Sequence, residues 1–231
     1  MSEDPDGISR TENAKDDSPS ENRRGEAPVV NHRAERGGDP GGINPGENQR
    51  GEATVVNARA EARARSTEQS EVLKWEALLL RAGCDRRVIA HARAVTAVAL
   101  TFSESPLVDR DLVRAGAMLH DIGRGVTHGI SHAQRGAELA RSFGLDPAIV
   151  SIIGRHIGAG LTADECSLQG LVPRDCVPVT LEEKIVANAD NLVHGDRAAS
   201  IERTLGASIR LKKRVRRRIC RLYLEMEVFR S

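Results

Sequence analysis

The dipeptide His120-Asp121 places an imidazole beside a carboxylate, and both groups are common ligands of divalent metal ions. Alone, the pair is more often part of a turn or a helix cap than of a metal site. Three more histidines and one aspartate fall on or near the apolar faces of predicted helices: His91, His132, His156 and Asp190. Ionisable side chains are rarely buried unless they are paired or bind a metal. We therefore predict that these six residues meet at one metal centre.

This set of nitrogen and oxygen ligands suits iron, manganese, cobalt, nickel or zinc better than ions that prefer thiolates. The residues alone leave open which of these metals binds, and whether one or two ions do. The four cysteines form no CxxC pair, so we interpret them as small, reduced side chains rather than zinc ligands or disulfides: Cys84, Cys166, Cys176 and Cys220.

The first 65 residues differ in composition from the rest of the chain. They contain no aromatic residue and no leucine, and Gly, Pro, Asn, Glu and Arg dominate. So little apolar surface cannot offset the entropy of ordering, and we predict a disordered, low-complexity tail over residues 1–65. The tail contains a duplicated 15-residue segment, residues 21–35 and 47–61, with twelve identities. Two copies are too few for a solenoid.

Residues 66–231 show helical periodicity, and no stretch alternates as a strand would. The capping-box spacing of Ser66 with Gln69, and of Ser131 with Gln134, predicts helices that begin there. Further predicted helices span 109–120, follow the caps Asp85, Asp146 and Thr180, and end with one that reaches Phe229. Residues 157–179 are rich in Gly and Pro and are predicted to form a long irregular loop. The predicted fold class is all-α.

The order of the six residues resembles the H…HD…D signature of the HD superfamily of metal-dependent phosphohydrolases, which have an all-helical fold. His132, in SHAQRGAEL, and His156, in IIGRHIGAG, are similar to the two extra histidines of dinuclear members. The segments HIGAGL and LEEKIVANADNL are most similar to those of small stand-alone HDIG-type proteins of prokaryotes, particularly archaea. The resemblance covers about residues 72–193 and implies an HD-domain helical bundle.

The resemblance also implies roles for single residues. One metal would be held by His91, His120, Asp121 and Asp190, and Asp121 would bridge to a second metal held by His132 and His156. The implied reaction is hydrolysis of a phosphoester or phosphoanhydride, in a nucleotide or other small phosphorylated compound, by a metal-bridging hydroxide. Asp121 and Arg124 are the predicted catalytic residues. Arg124 stands where many members have lysine, and its permanently charged guanidinium can grip phosphate but not donate a proton.

Two other functions stay open. A minority of HD-fold proteins use the same ligands as a di-iron oxygenase site. The chain could also be a non-enzymatic, metal-stabilised module that binds RNA through a basic cluster on the last helix: Lys212, Lys213, Arg214, Arg216, Arg217, Arg218 and Arg221. A solvated helix face is the simpler explanation of this cluster, and Tyr223 is its only neighbouring aromatic residue before Phe229.

The overall charge gives no sign of a strongly basic or acidic chain, since 34 Lys and Arg residues oppose 33 Asp and Glu residues, for a net charge of +1. The N-terminus has no apolar stretch typical of a signal peptide or a membrane span. Together with the unpaired cysteines, this predicts a cytoplasmic protein with no membrane partner. A short helical domain leaves much of its surface exposed, and we therefore expect that the protein forms a homodimer.

Overall fold

Along residues 45–231, the range that the computed structural model describes, nine α-helices follow one another; side chains are described from residue 59 onward, apart from residues 60 and 64. The helices are α1 Pro45–Arg81, α2 Arg86–Leu100, α3 Arg110–Leu119, α4 His132–Ser142, α5 Pro147–Arg155, α6 Ala163–Leu168, α7 Leu181–Asn191, α8 Ile201–Ala207 and α9 Lys213–Met226. Two short 3-10 helices span Ile122–Gly125 and Glu227–Phe229. The predicted all-α class is confirmed.

One small hairpin interrupts the helices. Its antiparallel strands are β1, Val193–His194, and β2, Arg197–Ala198, and Val193 pairs with Ala198. No strand was predicted here, because two residues per strand are too few to show alternation. None of the described helices is both long enough and apolar enough to cross a bilayer.

Helix α1 begins at Pro45 rather than Ser66, so the predicted start and its capping box are wrong. Glu, Arg and Ala favour a helix even without an apolar face. The side chains described between residues 59 and 70 are exposed, and Arg65 pairs with Glu61 one turn away. The predicted tail therefore overlaps α1 over residues 45–65, which includes the second repeat copy. The rest of the tail and the first copy lie outside the described residues.

Side-chain caps define most of the other predicted helix starts. The carboxylates that accept hydrogen bonds from the first turns of α2, α3 and α5 are those of Asp85, Asp109 and Asp146. Thr180 and Glu183 form the predicted reciprocal capping box of α7. Each such cap stabilises its helix by about 1 kcal/mol, so these starts follow from local sequence.

Two local predictions in the middle of the chain are wrong. Ser131 precedes α4 but makes no capping bond, because its backbone is helical rather than extended, and Gln134 exchanges two hydrogen bonds with the backbone of Val172 instead of with Ser131. The predicted irregular loop, residues 157–179, contains the six-residue helix α6, which starts with its own capping box. Both differences come from tertiary contacts and short-range caps that helical periodicity does not reveal.

Two apolar clusters share α2 and α3. The first also includes α7 and α9, and its fully buried side chains include Val95, Ile185 and Met226. The second includes α1 and α5, with Leu79, Met118 and Ile153. Burying each such side chain stabilises the fold by about 1.5 to 3 kcal/mol. Because α2 and α3 are packed on two sides, the backbone that carries His91 and His120 is firmly held.

The 3-10 helix after Asp121 lies almost in backbone contact with α4. A Cβ atom on Gly123 would overlap the carbonyl oxygen of His132 and crowd the backbone of Gly136. Only glycine at position 123 therefore allows this approach. The contact brings the first residue of α4, His132, beside Asp121.

We expect Gly123→Ala to lower the free energy of unfolding by about 2 kcal/mol or more, because the added methyl group must push α4 away. Gly206→Ala is the matched control, since a Cβ atom at this position in α8 meets nothing within 4 Å. The control should be neutral or stabilising by up to about 1 kcal/mol. Urea denaturation measures both values, and equal stability of the two variants would contradict the close contact.

Candidate metal centre

The structure brings all six predicted metal-ligating residues together. They come from five segments: His91 from α2, His120 and Asp121 from the end of α3, His132 from the start of α4, His156 from the C-terminal cap of α5, and Asp190 from α7. Two groups each offer ligand atoms that lie within 4.8 Å of one another: His91 with His120 and Asp190, and His120 with Asp121 and His156. Either group could hold a metal ion.

The carboxylate of Asp121 lies between two sets of imidazoles. Its Oδ1 atom is 3.1 Å from Nε2 of His132 and 3.6 Å from Nε2 of His156. Its Oδ2 atom is 3.7 Å from Nε2 of His120 and 3.9 Å from Nε2 of His91. One carboxylate therefore faces a different set of nitrogens with each oxygen.

Asp190 faces only one of these two sets. Its Oδ1 atom lies 3.0 Å from Nε2 of His91 and 3.5 Å from Nε2 of His120. The centre thus has two halves: a half of His91, His120 and Asp190, and a half of His132 and His156, with Asp121 between them. We call these the Asp190 half and the His156 half.

Backbone carbonyls define which nitrogen of each histidine carries the proton. The Nδ1 atoms of His120, His132 and His156 lie 2.7 to 2.8 Å from carbonyl oxygens three residues earlier, and Nδ1 of His91 lies 2.6 Å from the carbonyl of Gly195. A carbonyl only accepts, so each Nδ1 is the donor. In the neutral rings, all four Nε2 atoms therefore direct lone pairs into the centre, as in histidines that bind metals.

The donor set fits a cation. Nε2 of His120 is a buried atom without a hydrogen-bond partner among the described residues, and Oδ1 of Asp121 faces Nε2 of His132 and of His156, which carry no proton in the neutral rings. Nε2 of His132 is 3.1 Å from Nε2 of His156, so two lone pairs face each other unless a proton or a metal lies between them. Buried polar groups left in this state cost free energy. Divalent metal ions would remove each of these costs.

Ionisation in the centre is strongly perturbed. Burial alone would lower the pKa of His120, but Asp121 and Asp190 more than offset it and raise the pKa from 6.5 to about 9. Burial also opposes the charged forms of Asp121 and Asp190, yet the neighbouring histidines hold the pKa of both carboxyl groups far below the usual range. Burial lowers the pKa of His156. Both carboxylates are thus ionised at neutral pH and attract cations.

Arg124 lies at the edge of the centre rather than among the ligands. Its Nε donates to Oδ2 of Asp121 at 2.7 Å, and one terminal nitrogen is 3.5 Å from the carbonyl oxygen of His128. The Arg124 side chain is 33% exposed, whereas Asp121 is 4% exposed. The guanidinium therefore reaches from solvent to the carboxylate that both halves share.

Sequence reasoning missed three groups that support the centre. The carbonyl of Gly195 binds His91, Asn191 donates to the carbonyl of Gly158, and Arg218 donates to the carbonyl of Gly160. The last two bonds hold the segment that directly follows His156. Backbone carbonyls have no sequence signature, so only the position of Asn191 beside Asp190 could have pointed to such a role.

Comparison with known proteins gives the family. Residues 88–194 match the family model of the HD domain. A protein named MJ0778 from Methanocaldococcus jannaschii is 46% identical over 124 residues, which cover 52% of this chain and 73% of that protein. The matched range contains His91, the His120-Asp121 pair and Asp190.

Relatives with assigned names are longer proteins. The tRNA (cytidine(56)-2'-O)-methyltransferase of Picrophilus torridus is 44% identical over 138 residues, and the match covers 56% of this chain but 40% of the enzyme. Ribonuclease Y of Pseudothermotoga lettingae is 30% identical over 141 residues, which cover 59% of this chain and 25% of the ribonuclease. This chain therefore spans less than half of either enzyme.

Among solved structures, the HD domain of the phosphodiesterase PgpH from L. monocytogenes, in complex with cyclic-di-AMP, matches with a TM-score of 0.41 and 16% identity, over 61% of this chain and 90% of that chain. A likeness at that TM-score supports no conclusion about this protein. The family model matches the range that contains all six assembled residues, and the archaeal relative is matched over 73% of its length. The chain belongs to the HD-domain family.

Proposed function

We propose that the protein is a dinuclear metal-dependent phosphohydrolase that cleaves a phosphoester or phosphoanhydride of a nucleotide or other small phosphorylated compound. The observation that carries this proposal is the carboxylate of Asp121, whose two oxygens face the two halves of the centre. A carboxylate in that position can bridge two cations. Two-metal sites of this kind are typical of phosphate-ester hydrolysis.

In this proposal each half of the centre holds one ion. The Asp190 half supplies two imidazoles and one carboxylate, and the His156 half supplies two imidazoles. Asp121 completes both. When bound, a metal pair supplies an activated water for attack on phosphorus and positive charge for the phosphate oxygens. Iron, manganese, cobalt, nickel and zinc all accept such nitrogen and oxygen ligands.

Exposure indicates the side from which a substrate approaches. The side chains of His91 and Asp190 are 17% and 23% exposed, and Arg124 is 33% exposed. His120 and His156 are at most 2% exposed. Substrate phosphate therefore meets the centre along the edge marked by His91, Asp190 and Arg124, while the other histidines keep water away from the interior side.

Arg124 is the residue that we assign to the substrate rather than to the metals. Its Nε is engaged with Asp121, but a guanidinium has five N–H donors in a fork that matches phosphate oxygens. It would stabilise the negative charge that grows on phosphate in the transition state. A guanidinium stays protonated at neutral pH, so Arg124 is not the proton donor to the leaving group.

A second candidate function is RNA binding, and α9 favours it. Arg214 and Arg218 pair with the buried carboxylate of Glu165, but Lys213, Arg217 and Arg221 are exposed cations on the same helix. Two relatives are named for chemistry on RNA. Steeply salt-dependent RNA binding without turnover would support a binding module in place of an enzyme. Oxygen consumption with an iron-loaded protein would instead support the di-iron oxygenase.

The proposed activity is tested by a substrate screen. Nucleotides, cyclic nucleotides, dinucleoside polyphosphates and sugar phosphates are each offered to the full chain with manganese, cobalt, nickel or iron. Release of phosphate or of a shortened nucleotide that depends on the added metal supports a phosphohydrolase. Metal binding without release from any of these compounds contradicts the proposed substrate class.

We expect Asp121→Ala to abolish both metal retention and phosphatase activity, because it removes the ligand that both halves share. Elemental analysis after dialysis measures the metal, and the most active compound of the screen measures the activity. Asp164→Ala is the matched control, since this exposed carboxylate lies in the first turn of α6. Unchanged metal content in Asp121→Ala would contradict the assignment of the site.

The stability of the metal-free protein should fall as pH rises from 6.5 through about 9. The folded-state pKa of His120 is raised, so its protonated form stabilises the fold fully below pH 6.5, and this contribution of up to about 3 kcal/mol is lost through the folded pKa. The pKa of His156 is lowered, so His156 makes the fold less stable only when the pH falls below about 6.5. Denaturant titrations at several pH values in chelator measure the loss, and His120→Asn should flatten it.

Bound metal should reverse this dependence on pH. Histidine must be deprotonated to bind a metal, so metal-loaded protein should gain stability over the same pH range. The comparison needs only the same titrations with and without saturating manganese. Identical slopes in the two series would show that His120 does not bind the added ion.

We expect Arg124→Ala to lower kcat/KM by roughly 100-fold while metal content stays unchanged, because one charged donor to the phosphate is lost. Arg135→Ala is the control, since Arg135 is an exposed arginine of α4 that pairs with Glu138. The measurement combines steady-state kinetics with elemental analysis. If Arg124→Ala loses metal as well, the guanidinium serves to hold Asp121 and not to bind substrate.

A further inference from the structure

His91 is oriented differently from the other three histidines of the centre. His120, His132 and His156 each donate Nδ1–H to a carbonyl three residues earlier, so their own helical or turn backbone orients them. His91 instead donates to the carbonyl oxygen of Gly195 at 2.6 Å, across 104 positions of sequence. The orientation of His91 therefore depends on a segment that follows α7 in the chain.

That segment is the β1–β2 hairpin. Its strands pair His194 with Arg197, so the chain reverses through Gly195 and Asp196. Gly195 has a φ of +67°, in the left-handed region that favours glycine. This backbone conformation sets the direction of the Gly195 carbonyl and hence the acceptor that His91 meets.

The hairpin is tied to the end of α7 and to α8. The backbone N–H of Ala199 donates to the carbonyl of Leu192 at 2.7 Å. The hydroxyl of Thr204, a buried residue of α8, donates to the carbonyl of Asn191 and lies 3.3 Å from Nε2 of His194. Asn191 directly follows Asp190. The end of α7 and the hairpin are therefore linked, and together they carry the two groups that His91 contacts, the Asp190 carboxylate and the Gly195 carbonyl.

We propose that the Gly195 turn is a positioning element for the Asp190 half of the centre. The Gly195 carbonyl keeps a proton on Nδ1 of His91, so Nε2, which lies 3.0 Å from Oδ1 of Asp190, is the nitrogen that can bind a metal beside that carboxylate. The inference rests on the proposed dinuclear function. It goes further in one respect: the two metals depend on different parts of the fold.

The contacts predict that the two halves of the centre depend unequally on the Gly195 turn. The His156 half has histidines that are oriented by residues 129 and 153, neither of which is part of the hairpin. Disturbing the turn should therefore weaken the metal of the Asp190 half and spare the other. Groups that orient a metal-binding histidine typically contribute a factor of 10 to 100 in metal affinity.

The test compares substitutions at glycines with the same backbone conformation. Gly195→Val places a β-branched residue at positive φ and should rearrange the turn, whereas Gly195→Asn should preserve it, since Asn tolerates this region. Gly144→Val is the matched control: Gly144 has a φ of +72° in the turn before α5, and at both positions a Cβ atom meets nothing within 4 Å. All three are made in the full chain.

Manganese titration and melting temperature are measured together. We expect Gly195→Val to bind one of the two ions roughly 10 to 100-fold more weakly, with the second ion unaffected. Gly195→Asn should bind both as the unsubstituted chain does, and Gly144→Val should lose similar stability without losing metal. Unchanged binding in Gly195→Val, or equal loss in Gly144→Val, overturns the proposal.

A metal-free readout separates this inference from the proposed function. In the chelated protein, nitrogen NMR of the imidazoles should show that Nδ1 of His91 is protonated and hydrogen-bonded to a carbonyl, and Gly195→Val should lose this hydrogen bond. If the unsubstituted chain binds no metal, the proposed function fails, while the NMR comparison still tests the role of the turn. A His91 signal that is the same in both proteins contradicts that role.

Discussion

Two oxygens of one buried carboxylate face two different sets of imidazole nitrogens, and the rest of the centre depends on that arrangement. Asp121 is 4% exposed and within 4 Å of all four histidines. A carboxylate held there in its charged form requires compensating positive charge. Protonated His120 and the guanidinium of Arg124 supply part of it, and divalent cations would supply more. The buried charges that cost folding free energy are therefore the ones that a divalent cation would stabilise.

Packing places the groups around Asp121 in two ways. The close approach at Gly123 brings α4 and His132 beside the carboxylate, and the two apolar clusters hold α2 and α3 from both sides. The other contribution comes from short connecting segments, since the Gly195 turn orients His91 and α9 supports the segment after His156 through Arg218. The helices thus place the six side chains of the centre, and the connecting segments determine how some of these side chains are oriented.

Much of this arrangement could be predicted from the sequence, because histidine and aspartate on apolar helix faces are unusual and local caps mark helix starts. His91 and Asp190 were recognisable in this way, as were the caps Asp85 and Thr180. The start of α1 was not, since its first half lacks an apolar face. The Gly195 turn leaves no pattern either, because a backbone carbonyl acts in it and its strands have two residues each.

The most direct test of the central claim is the magnetic coupling between two bound manganese ions. Electron paramagnetic resonance of the manganese-loaded full chain should show a coupled pair, because the ions of two-metal sites lie roughly 3.5 to 4 Å apart. The coupled signal should grow as the second equivalent of manganese is added. A spectrum of isolated ions at every loading would contradict a bridging Asp121.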